Sequence, residues 1–155
     1  MTELYTALLA LFNATDVSAF TGNPAATAAE SVTAAKALRK YAVGGLHLGD
    51  APHGTALPHI TMRPASNTTT GVMGVTYREG FIITIGIWAP RYGLDAASVQ
   101  LGNVKKVFDN QCPAFSGGGG IILNVRKTSG VFVELPEPEG GYMLPLDYDI
   151  RFRVV

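Results

Sequence analysis

Cysteine is nearly absent: the chain has only Cys112, which excludes an internal disulfide and any zinc site built from several cysteines. With Pro113 next to it and glycines beyond, Cys112 reads as a spare, buried or half-buried thiol in a loop. Charge is scarce as well, with Asp, Glu, Lys and Arg making up 15% of residues against roughly 25% in ordinary soluble domains. A surface so poor in charge is one that partners partly cover, which favours an oligomer or an assembly component. The 12 basic residues balance the 12 acidic ones, so no net field draws the chain to nucleic acid or to an anionic membrane. No apolar run reaches the ~18 residues a membrane span needs. The N-terminus also lacks a basic patch followed by an apolar stretch and a small-residue cleavage site, so the chain reads as cytosolic and unprocessed.

The chemistry of catalysis is missing too. Ser18, Ser31, Ser66, Ser98, Ser116 and Ser129 lie in no Gly-x-Ser-x-Gly elbow, leaving a hydrolase without a nucleophile. Four glycines, 117–120, lack the Lys and Ser/Thr that a phosphate loop requires. His47, His53 and His59 recur every six residues beside Asp50, yet no helix-borne pair or cysteine supports them as ligands. They read as surface or turn histidines. Asp147 and Asp149 share a strand face on which a magnesium site is conceivable, but Arg151 and Arg153 continue that face, and cross-strand ion pairing is the better use. Asn13 and Asn67 each begin a glycosylation triplet by chance, in a chain with no secretion signal. The expectation is a protein with no catalytic residue, no metal and no cofactor.

What is present is α+β grammar, in one domain over residues 1–155 with a helical part at 1–45 and a sheet at 46–155. Leu4, Leu8, Leu11 and Phe12 recur at helical spacing, with Thr2 placed as N-cap. Asn23 and Pro24 then predict a second helix over 24–41, alanine-rich and set at the edge of the fold, ended by Gly44 and Gly45. Short extended pieces follow at 46–48 and 59–62, with Pro58 opening the second. Residues 64–74 are a polar tract of Ser, Asn, Thr and Gly that reads as a long mobile hairpin tip, so Asn67, Thr68, Thr69 and Thr70 are candidate interface residues that order against a neighbour. Phe81, Ile83, Ile85 and Ile87 alternate with Ile82, Thr84, Gly86 and Trp88, marking a central strand.

Asp95 predicts the cap of a third helix over about 95–108, which covers the sheet with Ala97, Leu101, Val104 and Phe108. Residues 121–127 and 131–135 read as a strand pair joined by Thr128, Ser129 and Gly130. Leu146, Tyr148, Ile150, Phe152 and Val154 alternate with Asp147, Asp149, Arg151 and Arg153. One face is core, and those four charges are candidate interface residues on the other. Turns too short for parallel crossovers, except around the third helix, imply a mixed or mostly antiparallel sheet backed by two or three helices.

The run Val43-Gly44-Gly45-Leu46-His47-Leu48-Gly49-Asp50-Ala51-Pro52-His53-Gly54-Thr55-Ala56-Leu57-Pro58-His59-Ile60 resembles the tail-terminator or tail-completion family of tailed bacteriophages. It has that family's helix, Gly-Gly turn, short strand, Ala-Pro-x-Gly-Thr-like loop and following strand. The strand 81–88, the helix carrying Val104-Lys105-Lys106-Val107-Phe108-Asp109 and the closing strand 146–152 follow in the family's order. The alanine-rich helix is longer than the family pattern, and His59 stands where Tyr is usual. The resemblance implies a homo-oligomeric ring, commonly a hexamer, that stops growth of the tail tube and joins tail to head. Its partners would be itself, the tail tube protein and a neck or connector protein, with DNA passing the lumen without specific contact and no membrane involved. Its place would be the virion, after assembly in the host cytoplasm. Two other readings are a different neck ring, such as a head-completion or connector protein, and a small-molecule-binding or enzymatic domain. The latter would have a pocket between helix and sheet near Trp88, Tyr92 and Tyr148, but the core-facing positions there are apolar apart from the Tyr148 hydroxyl.

Overall fold

The computed structural model describes residues 2–21, 26–71, 77–111, 120–129, 133–135 and 140–154, those at 2–3, 65–71, 77–81, 120–129, 133–135 and 151–154 by backbone alone. Three helices, α1 (Thr2–Asn13), α2 (Ala28–Tyr41) and α3 (Leu94–Phe108), stand against six strands. These are β1 (Leu46–Leu48), β2 (His59–Gly71), β3 (Tyr77–Ala89), β4 (Gly120–Ser129), β5 (Val133–Leu135) and β6 (Gly141–Val154). The sheet runs β1-β2-β3-β6-β4, with β5 also on β6. Among the described residues only β1 and β2 pair in parallel; the other pairs are antiparallel. The fold class is therefore α+β with a mostly antiparallel sheet, and the isoleucine-rich β3 is its central strand.

Alternation decides the faces. Ile60, Met62, Ile83, Ile85, Ile87, Leu144, Leu146, Tyr148 and Ile150 are all buried on the side that meets α3, where the Phe108 and Tyr148 rings lie 6.3 Å apart. The Tyr148 hydroxyl donates to the Asp109 carboxylate at 2.8 Å, just past the end of α3. Burial, and then the neighbouring Asp109 charge, push this phenol far above its usual pKa. α2 lies on α3, and the small side chains Ala34 and Ala35 let the helices approach closely. Buried Ser31 donates across that contact to the Lys106 carbonyl at 2.6 Å. α1 packs on both, with Leu4, Leu8 and Leu11 in the common core. Arg39 of α2 donates to the carbonyls of Phe12 and Ala14, closing the C-terminus of α1 with a cation where the helix dipole favours one.

Several boundaries differ from the sequence expectation. Thr2 is the first residue of α1 and not a cap before it. α2 starts at Ala28 because Thr27 and Glu30 form a reciprocal capping box; Asn23 and Pro24 lie outside the described residues. α3 starts at Leu94, preceded by Gly93 with no side-chain cap, so Asp95 sits in the first turn, where its charge suits the dipole. The polar tract is largely strand: residues 66–71 pair with 77–82 across a bulge at Pro64/Ser66. β4 and β5 do not pair with each other, since both lie along β6, and Thr128 and Ser129 belong to β4. β5 pairs with β6 four residues on, in the register that β4 leaves at Ser129 and Asp147. The parallel pair β1–β2 is joined by residues 49–58 without a helix, a tighter connection than the sequence suggested.

Candidate functional site

The face of the sheet that carries no helix among the described residues, the helix-free face, takes the polar half of each alternation: His59 and Thr61 on β2, Thr84 and Trp88 on β3, Asp147 on β6. At one end it is built into a cluster. Trp88 Nε1 donates to Thr61 Oγ1 at 2.9 Å. The indole can lean that way because residue 86 is glycine: a Cβ there would stand 3.1 Å from Thr61 Oγ1 and 3.3 Å from Trp88 Nε1. His59, directly opposite Trp88 in register, stacks on it with centroids 5.6 Å apart and planes 18° from parallel. His47 on β1 meets His59 edge-on at 5.8 Å.

Two carbonyls fix the imidazoles. His47 Nε2 donates to Gly44 at 2.8 Å, and His59 Nδ1 donates to Ala56 at 3.3 Å. His59 is only 7% exposed, so desolvation holds its pKa below the ordinary histidine value. The Ala56 carbonyl opposes that shift and His47 adds to it. Gly44 is required by the same crowding, because a Cβ there would lie 2.0 Å from the Ala56 oxygen and 2.9 Å from His59 Cβ.

Residues 49–58 and this cluster together line a half-open cleft of about 400 Å³ whose walls include Pro52, His53, Thr55, Leu57, His59 and Trp88. The loop is tied to the sheet at its ends. Gly49 N donates to the Met62 carbonyl at 2.8 Å, Gly44 N to the Pro58 carbonyl at 3.0 Å, and Arg63 bridges Asp50 at 2.7 Å. Its middle is held by Thr55, which donates its amide and hydroxyl to the Pro52 carbonyl at 3.1 and 2.6 Å.

The histidines are thus not all surface or turn groups: His59 is a core member of the helix-free face, while His53 is exposed. Among the described residues, no group of three or more His, Cys, Asp or Glu is arranged to hold a metal. The pocket expected between helix and sheet is not formed from the residues named for it. Trp88 and Tyr148 lie on opposite faces, and Tyr92 is 96% exposed.

Of the candidate interface residues, Asp147 accepts a hydrogen bond from Thr84 Oγ1 at 2.6 Å, and Asp149 stands between Ile82 and Arg126 in register. Arg151 and Arg153 continue β6 opposite Gly80 and Arg78, their side chains outside the described residues. Asn67, Thr68, Thr69 and Thr70 are not in a loop; they pair with Phe81, Gly80, Glu79 and Arg78. Cys112 and Gly117 to Gly119 lie outside the described residues, while Gly120 opens β4. Sequence reasoning missed the Thr61–Trp88–His59 cluster. Its signal was two polar positions, His59 and Thr61, alternating with Ile60 and Met62 in a strand otherwise read only for its core face.

Among the described residues no helix is long and apolar enough to cross a membrane. No family model and no curated protein matches the chain. Solved structures do: one chain of the structure described as "Virion of native gene transfer agent (GTA) particle" superposes with a TM-score of 0.56 at 14% identity, over 78% of this chain and 90% of that one. At that identity the likeness is one of fold, and it extends through nearly all of that chain of the gene transfer agent particle.

Proposed function

We propose that this chain is a structural subunit of a phage-type virion, and within it a tail-terminator or tail-completion protein that works as a hexameric ring. The observation that carries this reading is the shared fold across 90% of a chain of a gene transfer agent virion. Three features support it. The chain is poor in charge, at 15%, as a covered surface requires. Among the described residues one face of the sheet carries no helix. Its edges are open among the described residues: β4 ends the sheet on one side, and on the other β1 covers only Ile60, Thr61 and Met62 of the long β2. Open edges of that length are templates for pairing with another chain. The role asks for surfaces and geometry and no bond-breaking step, and the partners would be further copies of itself, the tail tube and a neck protein.

Light scattering on the purified protein, with negative-stain imaging, tests the proposal. A closed ring of six times the 16.4 kDa subunit mass is the expected outcome. A monomer at all concentrations, in the presence and absence of tail tube protein, would refute it.

A further inference from the structure

We propose that the cleft beside Trp88 is a socket for Tyr92 of a second copy of this chain, whose ring enters against the Trp88 indole while its hydroxyl donates to His59 Nε2. The socket has one unmet polar need. His59 Nδ1 donates to the Ala56 carbonyl at 3.3 Å, so Nε2 keeps its lone pair, and it has no partner among the described residues. His59 is only 7% exposed and belongs to the cleft wall. An acceptor in that position calls for a donor. The other lining groups call for an apolar, uncharged body. Trp88 has its N–H engaged by Thr61 at 2.9 Å and offers ring surface. Pro52 and Leu57 are apolar, and the Asp50 carboxylate is taken by Arg63 at 2.7 Å. A neutral aromatic ring bearing an O–H or N–H is the chemical class that suits about 400 Å³ lined in this way.

The chain carries such a group where it cannot use it itself. Tyr92 is 96% exposed, and no other Phe, Tyr or Trp among the described residues stands in solvent. A lone exposed apolar residue is ordinary, but Tyr92 is also rigidly presented. Residues 90–93 form a turn closed by Gly93 N donating to the Pro90 carbonyl at 2.9 Å, with Tyr92 in its third position. The turn is tight, since a Cβ on Gly93 would stand 2.9 Å from Pro90 Cγ. Fully buried Ala89 and Ala97 anchor the strand before it and the helix after it. An aromatic anchor ordered in advance loses little freedom on docking, and tyrosine is among the residues that dominate interfaces. Trp88 and Tyr92 lie four residues apart at one end of β3, so two copies can exchange knob and socket reciprocally. The contact needs only two copies and does not rest on the ring reading.

Sedimentation equilibrium on the full chain measures the pairing. Tyr92→Ala, at a position too exposed to support the fold, should weaken self-association by about tenfold or more. Tyr92→Phe removes the donor, and His59→Phe removes the acceptor while keeping an aromatic ring on Trp88. Each should weaken pairing by roughly three- to tenfold, and the double variant should lose no more than the worse single one. Far-UV circular dichroism verifies that each variant is folded. The socket is probed by itself in the Tyr92→Ala chain with the peptide acetyl-Pro-Arg-Tyr-Gly-amide. Trp88 is the only tryptophan, so emission should shift saturably with this peptide and not with a counterpart carrying alanine for tyrosine. Self-association unchanged by Tyr92→Ala would overturn the proposal even where rings form, as would additive losses in the double variant or emission indifferent to the peptide. Emission that responds to the peptide while pairing ignores Tyr92→Ala would give the cleft to a tyrosine of a different partner, and the second copy would be wrong. A chain monomeric at every concentration would overturn this contact and the ring together.

Discussion

Two phenols show how differently one group behaves inside this molecule. The Tyr148 hydroxyl donates to a carboxylate at 2.8 Å, whereas the Tyr41 hydroxyl is buried with no protein partner among the described residues, and burial raises its pKa. Tyr148→Phe should cost about 1.5–3 kcal/mol, the worth of a hydrogen bond to a charged group, while Tyr41→Phe should be neutral or stabilising because it removes an unsatisfied polar atom. Urea unfolding of the two variants, compared at constant m-value, checks the contrast. At this scale the sequence was partly legible. The burial of Tyr148 followed from its place among Leu146, Ile150 and other alternating apolar residues of β6. The burial of His59 did not, because only a partner strand carrying Trp88 opposite it, and a loop above, make a histidine at a strand start a core residue.

Among the elements, α2 rests most visibly on local chemistry. Thr27 Oγ1 accepts from the Glu30 amide and Glu30 accepts from the Thr27 amide at 2.7 Å, so Thr27→Ala should lower stability by about 0.5–2 kcal/mol. Thermal melts of that variant beside Glu30→Gln, which keeps the reach of the box without its charge, separate the hydrogen bond from the dipole interaction. β3 could be read from sequence because alternating isoleucines have one physical meaning, a strand with a core face. The outer half of β2 could not: Asn, Thr and Gly suit a turn, and their pairing with residues 77–82 is decided by the partner strand, since β propensity expresses context more than backbone preference. β4 and β5 looked like a hairpin for a related reason. Thr128, Ser129 and Gly130 carry turn chemistry, but the strand that both segments pair with lies beyond them in the chain, where no local pattern reveals it.

For the whole molecule, the ring reading makes the charged residues of β6 the sharpest test. Arg151→Glu with Arg153→Glu places four acidic residues on one strand alongside Asp147 and Asp149. Like charges in such a row are tolerated by a solvated face and repelled at a packed one. The double variant should therefore keep its monomeric circular dichroism and lose oligomer on size exclusion. Normal assembly at low and high salt would return this face to solvent. The architecture also fixes an order of events. β6 lies between β3 and β4 and pairs with both, yet it follows both in the chain. During synthesis β3 thus emerges with one edge unpaired and β4 with no strand partner in the sheet, and β6 fills the slot between them when it arrives. Pairings so distant in sequence form slowly, so the newly made chain passes through a stage with exposed strand edges, and anything that shields the slot until residues 141–154 arrive would protect the protein from mispairing.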